Sequence, residues 1–171
     1  GCVIANNSAI STEGISVTGG VASYANGTTT GSNVTGNPVG RLFITNCVIA
    51  NNLAQTTSGV GGIRTTRAAT IKNTVMWKNM RGNSSSNTNY STSYTQPYTY
   101  CACTDVAATS VFAEESTNIL LDSVNLPRFV APSSMVGATT IATDMSNINA
   151  DWRILPNSPL VDAGDPNTTF I

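Results

Sequence analysis

The chain has 171 residues, which suits one domain with a real core and leaves two full domains a tight fit. Charged residues make up only 10% and the net charge is −1, so the total charge favours neither nucleic acid nor an anionic membrane surface as a partner. No histidine is present, which removes Ser-His-Asp and Cys-His nucleophile systems, imidazole proton shuttles and the commonest metal ligand.

Ser, Thr, Asn and Gly take the place of charge, a composition that suits hydrogen-bonded turns and polar strands and predicts little α-helix. The first element is CVIANN at residues 2–7, and the same six letters return at residues 47–52. Between them, GGVAS at residues 19–23 corresponds to GGIRT at residues 61–65. A loop by composition, rich in Gly, Asn, Thr and Pro, fills residues 24–38 and accounts for most of the extra length of this first interval. A third copy, IKNTVMWKN at residues 71–79, lies over ITNCVIANN at residues 44–52. That alignment puts Asn73 on Asn46, Val75 on Val48, Met76 on Ile49 and Asn79 on Asn52. One further step of the same length reaches Cys101, preceded by Tyr100 where the earlier copies carry Asn.

A repeat in the twenties is the signature of a solenoid whose units stack to complete a shared core. Short β-rich runs (RLFIT, CVIA, ATIKN, TVMW), broken by Asn or Gly-Gly, point to an all-β chain and to a parallel β-helix, with regular coils over residues 1–104. Asn at a break tolerates the left-handed backbone conformation, and its amide can bond to the Asn one coil away. Asn46 with Asn73, and Asn52 with Asn79, are therefore expected to form ladders. Cys2 and Cys47 occupy equivalent, adjacent positions; a disulfide is geometrically allowed, and stacked reduced thiols are the preferred expectation.

These residues carry a family resemblance. ATIKNTVMWKN resembles a coil, and NILLDSVNLPRFVAP with ADWRILPNSPLVDAGDP resembles the closing coils, of right-handed parallel β-helix proteins secreted by Bacteroidetes and relatives. That group lies in the pectate-lyase-like superfamily and is often labelled choice-of-anchor Q. GGVA, GGIR and FITN are similar to the short repeats of polymorphic outer-membrane proteins. The resemblance implies one domain over residues 1–171, with short or irregular terminal coils and a cap over residues 105–171. It also implies an extracellular or cell-surface location. Gly1 opens inside a coil and the chain stops at Ile171, so a piece of a longer polypeptide is expected, with end-to-end or homo-oligomeric association between copies.

Chemistry has few candidates. Residues 14–104 hold no carboxylate but six cations, Arg41, Arg64, Arg67, Lys72, Lys78 and Arg81, whereas eight acids follow from Asp105 onward. Lyases of the superfamily hold calcium with clustered acids, and glycosidases need two carboxyls on neighbouring strands; the regular coils offer neither. Asp162 and Asp165 in VDAGDP suit turns better than catalysis, and Glu114-Glu115 suits a solvated surface. DSV at residues 122–124 is similar to a short O-glycosylation signal of exported Bacteroidetes proteins. Cys101 and Cys103 lack the company a zinc site needs. No catalytic residue, metal or cofactor is expected, and the chain leans away from being an enzyme.

Aromatics gather after Trp77. Tyr90, Tyr94, Tyr98 and Tyr100, with Lys78 and Arg81 nearby, have the ring faces and donors that suit a glycan or a host surface ligand; the bland alternative is that the tyrosines pin a surface excursion. The functional expectation is a structural shaft or adhesin of a bacterial surface protein. The alternative is part of a carbohydrate-active or glycan-binding β-helix whose catalytic residues lie elsewhere.

Overall fold

The computed structural model describes residues 2–9, 20–23, 42–56, 59–65, 69–82, 90–92, 98–104, 116–134, 136–137 and 149–167. Within them the chain is all-β, with mostly parallel sheets and no helix among the described residues. Sheet I joins β1 (Val3–Ala5), β5 (Val48–Ala50), β9 (Val75–Trp77), β13 (Ala102–Cys103) and β14 (Ile119–Leu120). Sheet II joins β2 (Ser8–Ala9), β6 (Leu53–Ala54) and β10 (Met80–Arg81). Sheet III joins β3 (Val21–Ser23), β7 (Ile63–Thr65) and β11 (Tyr90–Thr92), and sheet IV joins β4 (Leu42–Thr45), β8 (Ala69–Lys72) and β12 (Tyr98–Thr99). The chain visits sheets I, II, III and IV in that order three times.

Register follows the sequence alignment residue for residue. Val48 pairs with Val3 and Val75, Ile49 with Ile4 and Met76, and Ile63 with Val21. The unequal first interval leaves pairing intact, because Leu42 to Thr45 lie beside Ala69 to Lys72 with no shift.

Alternation along each strand sorts side chains to two faces. Facing inward, Ile44, Ile49, Ile63, Ile71, Met76, Tyr98 and Cys103 form one buried cluster. On the opposite face of sheet I, Ala50, Trp77, Ala102 and Leu121 form a second cluster with Phe129. β-branched and small residues suit both faces of sheet I, which is covered twice, whereas Phe43 on the outer face of β4 stays exposed. Gly61 meets the next pass so closely that a Cβ there would collide with the backbone of Met80, and one at Gly20 would collide with that of Gly62.

Corners are set by left-handed residues. Asn46, Asn73 and Tyr100 end the strands of sheet IV with φ of 54°, 49° and 54°, and Asn6, Asn51 and Lys78 end those of sheet I with φ of 58°, 54° and 51°. The backbone break after sheet I therefore belongs to Asn51 and Lys78, one residue before the expected Asn52 and Asn79. Those two turn inward instead and are fully buried.

After Leu120 the parallel pattern ends. β15 (Phe129–Ala131) and β16 (Asp151–Ile154) pair antiparallel, and Phe129, Trp152 and Leu160 pack on the outer face of sheet I. Of the segments that resemble closing coils, Ile119–Leu120 extend sheet I as its last strand, and the residues of β15 and β16 lie against its side.

Candidate functional site

The seven residues expected to form a ligand surface occupy different environments. Trp77 is on the outer face of sheet I, 8% exposed, with ring centroids of Phe129 and Trp152 at 5.5 and 6.4 Å in edge-to-face geometry. Tyr98 points inward, 1% exposed, beside Ile71 in the sequence register. Neither ring offers a face to a sugar, so Trp77 and Tyr98 are corrected from surface residues to core residues. Lys78 and Arg81 are exposed; the Lys78 ammonium lies 4.4 Å from the Trp77 ring centroid and so closes that ring's remaining side. Tyr100 is half-buried. Tyr90 lies in β11 opposite Ile63, and Tyr94 lies outside the described residues.

What the fold does assemble is a seam where the C-terminal segment meets the corner between sheets IV and I. Asn73 donates from Nδ2 to Oδ1 of Asn46 at 3.0 Å and accepts the Asp165 N–H at 2.9 Å. The Asp165 carboxylate pairs with Lys72, whose ammonium lies 6.0 Å from the Tyr100 ring centroid. The Lys72 side chain, then the Asn167 N–H, hold the Asp165 carboxyl below the usual carboxylate range. A crevice of about 90 Å³ opens here, lined by Asn73, Tyr100, Ile119, Leu160 and Gly164 among others. Opposite charges from the two parts of the chain therefore meet within one molecule at Lys72 and Asp165.

A second polar feature runs through the interior. Asn7 donates from its backbone N–H and from Nδ2 to Oδ1 of Asn52 at 3.0 and 2.9 Å. Asn52 donates from Nδ2 to Oδ1 of Asn79 at 2.9 Å and to the Ile4 carbonyl at 3.0 Å, and the Asn79 Nδ2 donates to the Ile49 carbonyl at 2.8 Å. Both acceptor sites and both donors of the Asn52 amide are engaged, which makes its complete burial affordable. Alongside, Asn51 donates from Nδ2 to the carbonyl and hydroxyl of Ser133 at 2.9 and 3.0 Å, and Ser133 donates from its hydroxyl to Asn6 Oδ1 at 2.6 Å. Asn7, Ser133 and Asn118 were not expected. Asn7 was legible from its alignment with Asn52; Asn118, which accepts the Cys101 N–H at 2.9 Å, follows a shorter interval of 17 residues, and Ser133 sits where no repeat reaches.

Cys2 and Cys47 stand with sulfurs 3.5 Å apart, both as free thiols, and Cys47 donates to the Thr45 carbonyl at 3.0 Å. Cys101 and Cys103 are buried, and burial pushes the Cys101 thiol up to about 11. Among the described residues the carboxylates are dispersed. Asp122 accepts the N–H groups of Val124 and Asn125, both at 2.7 Å, and Asp151 is held at about 2 by the Arg153 side chain and backbone N–H. Asp162 takes a left-handed turn at φ 56°, and Asp165 turns onto the Asn167 N–H at 2.8 Å. Glu114 and Glu115 lie outside the described residues. Among the described residues no three His, Cys, Asp or Glu side chains gather to hold a metal. Comparison with family models, curated proteins and solved structures finds no match for this chain.

Proposed function

We propose that the chain is a segment of a right-handed parallel β-helix, a solenoid, from a secreted or cell-surface bacterial protein, and that it acts as a stiff shaft or adhesin. The observation that carries this reading is the return of the chain to the same four sheets at a constant register, with Asn52 bonded to Asn79 and Asn73 to Asn46, each pair 27 residues apart. Each pass rests on the next, so the material extends along one axis. Supporting a role outside catalysis, Asp122, Asp151 and Asp165 each serve a local turn or ion pair. Association between copies is supported by the exposure of Val3 and Leu120, on the first and last strands of sheet I.

The test is solution scattering with sedimentation on the purified chain, beside an assay on pectin with calcium. A scattering profile that matches the four stacked sheets, with no unsaturated sugar released, is expected. A profile that departs from them would remove the solenoid, and sugar release would replace the shaft with a lyase.

A further inference from the structure

Cys2, Cys47, Thr74 and Cys101 occupy one column at the entry to sheet I. Cys47, Thr74 and Cys101 each donate to the carbonyl two residues back, those of Thr45, Lys72 and Thr99, at 3.0, 2.9 and 3.3 Å. Read in order the column carries sulfur, sulfur, oxygen, sulfur. Adjacent sulfurs occur once, at Cys2 and Cys47, and the Thr74 hydroxyl separates Cys47 from Cys101.

We propose that Cys2 and Cys47 are a site of reversible oxidation, a covalent staple that small-molecule disulfides close between β1 and β5. The two strands already pair in parallel, with the Val48 N–H donating to the Cys2 carbonyl at 2.9 Å. Neighbouring strands lie about 4.8 Å apart, inside the window of about 4.4 to 6.8 Å between Cα atoms that a disulfide accepts. The sulfurs must approach by roughly 1.5 Å from their present 3.5 Å to the bonded length of about 2.05 Å. Cys2 is exposed, so its side chain has room to supply that movement and an oxidant can reach it. Cys101 and Cys103, at 1% and 0% exposure, are closed to the same reagent.

The chemistry balances as two exchanges. The Cys2 thiolate attacks a disulfide RS–SR, forming Cys2–S–SR and expelling RS⁻, which takes up the proton that Cys2 released. The Cys47 thiolate then attacks the Cys2 sulfur, forming the protein disulfide and expelling the second RS⁻, which is protonated in turn. Two protein thiols are oxidised and one RS–SR is reduced to two RSH. The bond closes a loop of 45 residues, which restrains the unfolded chain more than the folded one.

The experiment treats the purified chain with oxidised glutathione, blocks remaining thiols after unfolding, and maps peptides by mass. The expected result is one linked peptide pair containing Cys2 and Cys47, an intact mass lower by two hydrogens before blocking, and Cys101 and Cys103 both blocked. Melting should rise by about 5 to 10 °C and return on reduction. In Cys47→Ser, glutathione should accumulate on Cys2 as the trapped first intermediate. Wild-type protein that retains glutathione on Cys2 without closing, or that links Cys101 to Cys103, would overturn the proposal; this mapping decides it even where the variant does not fold.

Discussion

Asn52 and Asn79, both fully buried, are joined by a 2.9 Å bond from the Nδ2 of Asn52 to the Oδ1 of Asn79. Replacing Asn52 with Ala would strip the Asn7 N–H and the Ile4 carbonyl of their side-chain partner, while the Asn79 amide oxygen keeps the backbone N–H of residue 52 at 3.2 Å. Each buried polar group left unpaired costs about 1 to 3 kcal/mol, so Asn52→Ala should lose about 2 kcal/mol or more, read as the urea midpoint at constant slope. Asn52→Asp should be no better, because a carboxylate accepts where two donors are needed.

Trp77 gives a contrast with its neighbour Arg81. Trp77→Ala opens a void among Phe129, Trp152 and sheet I and should cost about 3 to 5 kcal/mol, whereas exposed Arg81→Ala should stay within about 0.5 kcal/mol. Thermal unfolding of the two variants side by side checks the placement of the C-terminal hairpin.

Tyr100 holds a left-handed backbone at the position where the two earlier passes use Asn46 and Asn73. Asn accepts that conformation more readily than Tyr. Tyr100→Asn is therefore expected to stabilise by about 0.5 to 1 kcal/mol, with a higher urea midpoint as the readout. A lower midpoint would mean that the ring contributes more through Lys72 and the crevice than the backbone gains.

Gly61→Ala should be among the most damaging single-methyl changes, since its new Cβ meets the backbone of Met80 and no side chain can yield. Loss of cooperative unfolding or of soluble protein is the expected outcome. Gly164→Ala is the control, where the nearest atom to the new Cβ is the Asn73 amide oxygen at 3.8 Å.

Acid should weaken the fold in a defined window. Asp165, lowered first by the Lys72 side chain and then by the Asn167 N–H, and Asp151, lowered to about 2 by Arg153, both have folded values below their unfolded ones. Depressed carboxyls contribute stability that is complete above about pH 4 and is lost as pH falls through their folded values. Urea midpoints should thus fall from pH 4 toward pH 2. The gap between wild type and Asp165→Asn should narrow over the same range, and a gap independent of pH would reject the ion pair as its source.

The strand register was legible because Val48, Val75 and Ala102 fall at one spacing, and the Asn pairs came with it. Tyr98 was legible too: the same spacing puts it beside Ile71 in an inward column, a stronger signal than the polar composition of its surroundings. Trp77 shares its column with Ala50, which marks it as outward-facing, but not what covers it. Phe129 and Trp152 arrive from an antiparallel hairpin that obeys no period, so their contact with Trp77 has no counterpart in the repeat. The left-handed corner was displaced by one residue from the expected Asn52, because two consecutive asparagines divide the work, Asn51 bending the backbone and Asn52 filling the interior.

The even pairing of β4 with β8 follows connections of very different length, residues 24–41 after β3 against residues 66–68 after β7. Closing the longer connection costs only about 1 to 2 kcal/mol more, since the penalty grows with the logarithm of length. Strand register and connection length are thus independent variables in this architecture. The junction between β3 and β4 is a place where foreign sequence, an epitope or a binding peptide, could be carried without disturbing the strands on either side.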